Sequence, residues 1–289
     1  MLLDVGEGSL GQLASLYEGP TLWEVLISLS AIWISHPHAD HHLGLMKVLA
    51  ARRQAAADLG LLGGKPPPML IMAPRPVLAW LREHRSWDAT VEWGEAVEGD
   101  RGGGEGLMKE NYLVDMERMS PFAYQYLERE LDLLNLTNVG VHHCPFAFGV
   151  VLDGRAGWRL VYSGDTRPCR RLEQAGRGAT VLIHEATFGN EKAAEAVERK
   201  HSTVGEALDV ARRMEAKTVI LTHFSQRYPK FPVLPPDYEL QVCVAFDLMT
   251  LRFKDVGRAA ALLPALQKLF PVEEEASDEQ ILMSQIEGK

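Results

Sequence analysis

The stretch Ser35-His36-Pro37-His38-Ala39-Asp40-His41-His42-Leu43-Gly44 constrains the fold of this chain more than any other. It follows an apolar run, AIWIS at 31–35, and precedes a helix-like segment at 41–58. Strand, loop, helix is the order that puts polar side chains at the rim of an α/β sheet. Histidines two apart in an extended loop can turn their rings toward one point. Asp40 and His41, at the next bend, can face a second point close by. Imidazole and carboxylate are the ligands that suit Zn²⁺ and similar borderline metals. A solvated His-rich loop is the competing reading, and this order of donors after a strand weighs against it.

The rest of the chain agrees with an α/β class. Short apolar runs rich in Val and Ile predict strands at 31–35, 69–73, 147–152, 158–163, 180–184 and 218–222. Helical periodicity covers 41–58, 74–84, 189–199, 203–215 and 260–270, with Thr203 and Glu206 spaced as a capping box. Residues 86–110, with GDRGGGEG, read as a variable loop. The 289 residues suffice for a large core, and no apolar run reaches the roughly 20 residues of a membrane span. Cys144, Cys169 and Cys243 are too few and scattered for a disulfide framework or zinc ribbon, which suits a reducing, intracellular setting. The net charge of −9 argues against a generally basic nucleic-acid binder. Residues 271–289 hold six acids and one lysine and read as a solvated, disordered tail after a domain spanning 1–270.

Other candidate ligands stand at the ends of predicted strands. They are His142 and His143 in VGVHHC, Asp165 in SGDT, and His223 in LTHFS. Alone, each has a bland reading: a satisfied structural histidine, or a turn in which Asp bonds its own backbone. Their joint appearance after the His-rich motif carries the case. The aromatics Trp33, Phe146, Phe148 and Trp158 read as core, and Cys169 and Cys243 as small buried residues.

Taken in order, these motifs resemble the metallo-β-lactamase superfamily. LIHEATF at 182–188, HST at 201–203 and HFSQRY at 223–228, with LLDVGEGSLGQL, SGDTRPC and VAFDLM, resemble the tRNase Z family. The likeness is greatest to the C-terminal half of the long form and covers roughly residues 1–255. It implies an αββα sandwich and a site for two zinc ions, with Mn²⁺ or Mg²⁺ as substitutes. His36, His38 and His143 would hold one ion, Asp40, His41 and His223 the other, and Asp165 would bridge them. His143 is preferred to its neighbour His142, and His42 would make contacts around the ligands. The implied activity removes the 3′ trailer from precursor tRNA, leaving a 3′-hydroxyl on the tRNA and a 5′-phosphate on the trailer. Asp40 would orient or deprotonate the nucleophile, and the Glu185–His201 pair would protonate the leaving oxygen. Arg227 and Ser225 would meet the phosphate, with Lys230 and Thr187 as weaker contacts.

The same resemblance implies a partner, either the N-terminal half of the long form or a second subunit, with no membrane involved and the nucleus or mitochondrion as location. Residue 2 already reads as strand, and nothing corresponds to the family's first β-hairpin or its tRNA-clamping arm. The expectation is therefore an N-terminally truncated catalytic domain. Its alternatives are a non-catalytic zinc-binding fragment and another phosphodiesterase of the superfamily.

Overall fold

Strands with apolar side chains on both faces need cover on both, and Ala31–Trp33 and Met69–Ala73 are buried at every position. Their side chains alternate between two cores. Ile32, Met69 and Ile71 join one, and Ala31, Trp33, Leu70 and Met72 the other. The computed structural model describes residues 1–85, 92–96, 109–225, 234 and 240–269. Its strands are β1 (Leu2–Leu3), β2 (Ala31–Trp33), β3 (Met69–Ala73), β4 (Trp93–Glu95), β5 (Asn111–Asp115), β6 (Leu133–Gly140), β7 (Phe148–Gly154), β8 (Arg159–Tyr162), β9 (Val181–Glu185), β10 (Thr218–Thr222) and β11 (Gln241–Val244).

Two sheets result. The first runs β1-β2-β3-β5-β4, all parallel. The second runs β11-β10-β9-β8-β7-β6, parallel from β11 to β8 and antiparallel through β7 and β6. Between the sheets lies a core in which Trp33, Leu70, Met72 and Val114 meet Leu136, Val150 and Leu152. Trp33 is fully buried there, and its indole N–H donates to Asn138 Oδ1 at 2.8 Å, so its one polar atom is satisfied. Helices Pro20–Ile27, Leu45–Asp58 and Arg75–Arg85 cover the outer face of the first sheet. Helices Arg170–Ala175, Val204–Arg213 and Leu263–Leu269 cover that of the second. The expected αββα sandwich is present.

The predicted strands fall on β2, β3, β7, β8, β9 and β10, with ends shifted by a residue or two. The predicted helix 41–58 is instead two, Ala39–His42 and Leu45–Asp58. Gly44 between them donates to Val5 O at 3.0 Å, and a Cβ there would lie 2.0 Å from Gly6 O. The glycine that closes the His-rich motif lets the loop after β1 pass against it. The predicted helix 260–270 also splits, into Val256–Ala260 and Leu263–Leu269, because Pro264 can stand only in a helix's first turn. Segment 189–199 opens with a 3₁₀ turn, Asn190–Lys192, before the helix Ala193–Arg199. The capping box on Val204–Arg213 is formed from both sides by Thr203 and Glu206.

β4 lies inside the segment expected to be loop, whose residues 86–91 and 97–108 fall outside the described ones. Residues 270–289, with the expected acidic tail, also fall outside them. Phe146 corrects an expectation: it is 42% exposed, at φ +63°, because it stands in the β6–β7 turn and not in a strand. Among the described residues, no helix is long and apolar enough to cross a membrane.

Candidate metal centre

The C-terminal ends of β2, β6, β8, β9 and β10 all open on one rim, and each delivers a polar side chain there. β2 leads into His36–His41, β6 into His143, β8 into Asp165, β9 ends at Glu185, and β10 leads into His223. Asp165 is the hub. One of its oxygens lies 3.7 Å from His36 Nε2, 3.3 Å from His41 Nε2, 3.8 Å from His143 Nε2 and 3.9 Å from His201 Nδ1. The other lies 3.5 Å from His223 Nε2. Asp40, on the exposed side, reaches to 3.7 Å from His41 Nε2. Backbone strain gathers here: Asp4, Phe146, Lys200 and His223 all take positive φ, a conformation that costs a non-glycine residue about 1–2 kcal/mol.

The ring nitrogens fit a metal shell. His36 Nε2 and His143 Nε2 lie 3.0 and 3.1 Å from His38 Nδ1. Donors of a tetrahedral zinc sit about 3.3 Å apart when each bond is about 2.0–2.1 Å. His41 Nε2 is buried and faces the Asp165 carboxylate at 3.3 Å, so both could turn toward one cation. Two three-residue groups, His36–His38–His143 and Asp40–His41–His223, therefore have the chemistry and spacing of ligand sets, with Asp165 between them. Cys144 Sγ stands in the same donor group as His36, His38 and His143.

Four of the rings are fixed by their second nitrogen. Ser35 Oγ meets His36 Nδ1 at 2.8 Å, and the Lys200 carbonyl accepts from His143 Nδ1 at 3.0 Å. Thr187 Oγ1 meets His223 Nδ1 at 2.8 Å. Asp4 accepts from His41 Nδ1, from Ser35 Oγ and from the Tyr162 hydroxyl on one oxygen, each at 2.8 Å, and from the Ser35 amide on the other at 2.6 Å. Burial pushes His36 down to about 2, and neighbouring His41 adds to this. His143 is lowered as well, burial outweighing the Lys200 carbonyl and Asp165. Both rings are thus neutral, as ligation requires. Burial also opposes a charge on His41, but Asp165 and Asp4 outweigh it and raise the ring to about 10. Burial would raise Asp165, yet the hydrogen bond from His41 and the nearby imidazoles, His223 first, hold it well below the usual carboxylate range.

Beside the hub, Glu185 is buried and accepts five hydrogen bonds. Oε1 takes the Thr166 amide at 2.8 Å and His201 Nδ1 at 2.9 Å. Oε2 takes the Thr187 hydroxyl at 2.6 Å, the Ser202 amide at 3.1 Å and the Thr187 amide at 3.2 Å. Burial disfavours a charged His201, and the bond to Glu185 overrides it, raising the ring. The arrangement fixes the Nδ1–H tautomer and leaves Nε2 to exchange a proton.

The structure brings His36, His38, Asp40, His41, His143, Asp165, Glu185, His201 and His223 to one place. His142 is exposed and outside the donor groups, while its neighbour His143 is buried within them. His42 does not brace the ligands; it stacks on Trp80, ring centroids 5.1 Å apart, because it faces the helix layer. Ser225 is tied through its amide to Thr187 O at 3.2 Å, and Arg227 and Lys230 lie outside the described residues. Sequence reasoning passed over Asp4, Tyr162 and the Lys200 carbonyl. Asp4 alone left a signal, as the polar residue ending an apolar start before Gly-x-Gly.

Known proteins resemble this chain in sequence and in fold. A family model described as a beta-lactamase superfamily domain matches residues 128–224. The chain is 41% identical over 275 residues to zinc phosphodiesterase ELAC protein 2 of Macaca fascicularis, covering 93% of this chain and 32% of that protein. It is 37% identical over 314 residues to the mitochondrial tRNAse Z TRZ4 of Arabidopsis thaliana, covering 93% and 33%. The chain thus spans about a third of the length of these relatives. Among solved structures, a long form RNase Z from yeast matches with a TM-score of 0.76 and 24% identity, over 93% of this chain and 38% of that one. The human tRNase Z short form matches at 0.60 and 22%, over 87% of each.

Proposed function

We propose that this chain, whose residues 128–224 match a beta-lactamase superfamily domain and which is similar in sequence to tRNase Z, is a metal-dependent endoribonuclease that removes the 3′ trailer from precursor tRNA. The observation that carries the reading is the convergence of six donors around Asp165, with the Glu185–His201 pair at 2.9 Å beside it. Two zinc ions held by His36–His38–His143 and Asp40–His41–His223, and joined by Asp165, would activate water and neutralise charge on the phosphate; Mn²⁺ or Mg²⁺ would substitute.

The chain's own residues do the rest. Asp40 is exposed enough to meet solvent and close enough to His41 to orient an attacking water. Glu185 keeps the Nδ1 proton of His201 on its own side, so His201 Nε2 gives its proton to the departing 3′-oxygen of the tRNA. Attack in line with that oxygen leaves a 3′-hydroxyl on the tRNA and a 5′-phosphate on the trailer. Ser225 and Arg227 follow β10 in sequence and would meet phosphates on either side of the scissile bond. The N-terminal part of a long form, or a second subunit, would supply more of the RNA grip, and the nucleus or mitochondrion is the setting that fits.

The test is precursor tRNA with a 3′ trailer, incubated with the metal-loaded chain beside Asp40→Ala, with and without the N-terminal half of a long form. Cleavage at the trailer junction, lost in Asp40→Ala, is the expected outcome. A chain with both metals bound that cuts no precursor in either setting would overturn the reading.

A further inference from the structure

His201 sits in the four-residue segment 200–203 between the helices Ala193–Arg199 and Val204–Arg213, where its amide donates to Ala196 O at 2.9 Å and the Ser202 carbonyl accepts from the Phe188 amide at 3.2 Å. A proton donor displaced by even an ångström loses much of its effect. The His201 carbonyl is held by the side chain of Arg167, two residues beyond Asp165. Its Nη1 donates to the His201 carbonyl and to Glu206 Oε2, both at 2.6 Å, and its Nη2 donates to Glu206 Oε1. Glu206 is itself fixed by the capping box, accepting the Thr203 amide at 2.9 Å.

Arg167 is anchored at its own backbone. Its amide donates to His142 O at 2.9 Å, and its carbonyl accepts the Thr166 hydroxyl at 2.7 Å. The neighbouring Thr166 amide donates to Glu185 Oε1, the oxygen that holds His201 Nδ1. A closed circuit results: Glu185 to Thr166, through the chain to Arg167, across to the His201 carbonyl, and through the ring back to Glu185. We infer that Arg167 is a positioning residue that keeps His201 in register with Glu185, so that proton delivery to the leaving oxygen depends on it. The inference rests on the phosphodiesterase reading above. The guanidinium is committed to Glu206 and the His201 carbonyl, and its side chain is 20% exposed, which separates it from a surface phosphate contact. A fork making two bonds to one carboxylate and a third to a carbonyl is geometry that lysine cannot copy.

A residue that acts through an acid is exposed by the leaving group. The zinc-loaded chain, Arg167→Met and Arg167→Lys would be compared on precursor tRNA, whose alkoxide needs a proton, and on bis(p-nitrophenyl) phosphate, whose phenolate does not. Arg167→Met is expected to lower kcat on precursor tRNA by about 10²-fold, near the lower end of what an acid contributes. KM, and the rate on the activated ester, should stay within about threefold. Arg167→Lys should fall between, with thermal unfolding showing that each variant is folded. An equal fall on both substrates, or no fall on either, would overturn the inference. If the parent chain ignores precursor tRNA, the functional reading fails instead. The clamp is then decided by the downfield Nδ1 proton of His201 in imidazole nitrogen spectra. Its loss in Arg167→Met supports the clamp, and its persistence unchanged overturns it.

Discussion

The two halves of the centre use the same kinds of donor but are braced in opposite ways. In the first, His36 and His143 are buried on either side of the exposed His38, and the three ring nitrogens already stand 3.0–3.1 Å apart along His36–His38–His143. In the second, His41 is buried and backed by the Asp4 carboxylate, but the Asp40 side chain is 72% exposed and that of His223 32%. In this more closed half, two of the three donors are set by packing before any ion arrives. The open half must gather its donors from solvent, at a cost in side-chain entropy and desolvation. The first half should therefore hold its ion the more tightly, and the second should exchange it and face the substrate.

Asp165 is the residue through which this contrast would be broken most severely, since one of its oxygens approaches His36, His143 and His41 and the other His223. Asp165→Ala should empty both halves and lower phosphodiester hydrolysis by about 10³-fold or more, the equivalent of several kcal/mol of lost charge stabilisation. Metal analysis by plasma mass spectrometry, with a steady-state assay, checks this. Retention of both ions would show that the halves do not share a hub. Asp40→Ala strikes the open half alone. Bound zinc should fall from about two to about one per chain. Loss of both ions would erase the distinction between closed and open halves.

How much of this was legible beforehand follows from where the information sits. The His-rich motif, Asp165 and His223 could be found because polar residues interrupt apolar strands at their ends, whereas the Glu185–His201 pair was legible only through the family resemblance. The capping box was legible from a spacing of three. Asp4 left a polar residue after an apolar start, but its role was not legible, because that depends on β1 lying parallel beside β2, a pairing across 30 residues of sequence. Arg167 was hidden for the same reason: its partners are 34 and 39 residues away, and an arginine after Gly-Asp-Thr has no local signature. Helices Ser9–Leu16 and Pro20–Ile27 escaped because they are short and lack side-chain caps. Helix Pro121–Leu131 was findable, since Ser120 caps it and proline opens it. Phe146 was misread because an aromatic beside a strand was taken as core, whereas the turn bearing His143 turns it out to solvent.

The support behind the open half offers a finer test, since its two histidines are braced unequally. Asp4→Asn replaces a carboxylate that accepts from His41, Ser35 and Tyr162 with a neutral amide that must present a donor to one of them. Zinc affinity at the open half should fall by about 10–100-fold, the usual loss for a supporting carboxylate. Competition against a chelating dye reads it, and the more weakly bound of the two ions should be the one that weakens.

Thr187→Val should do less. The Thr187 hydroxyl spends its one proton on Glu185 Oε2 at 2.6 Å and accepts from His223 Nδ1 at 2.8 Å, so it is a neutral relay and not a charge. Valine keeps the β-branched shape and removes both bonds. His223 is half-buried, and water can take the place of the lost acceptor at little cost. Glu185 still keeps its three amide donors and His201. The expected loss in affinity is below about tenfold, the lower bound for removing such a partner, with unchanged occupancy of the closed half. A loss as large as that of Asp4→Asn would mean that His223 and not His41 anchors the open half, and that burial does not rank the two.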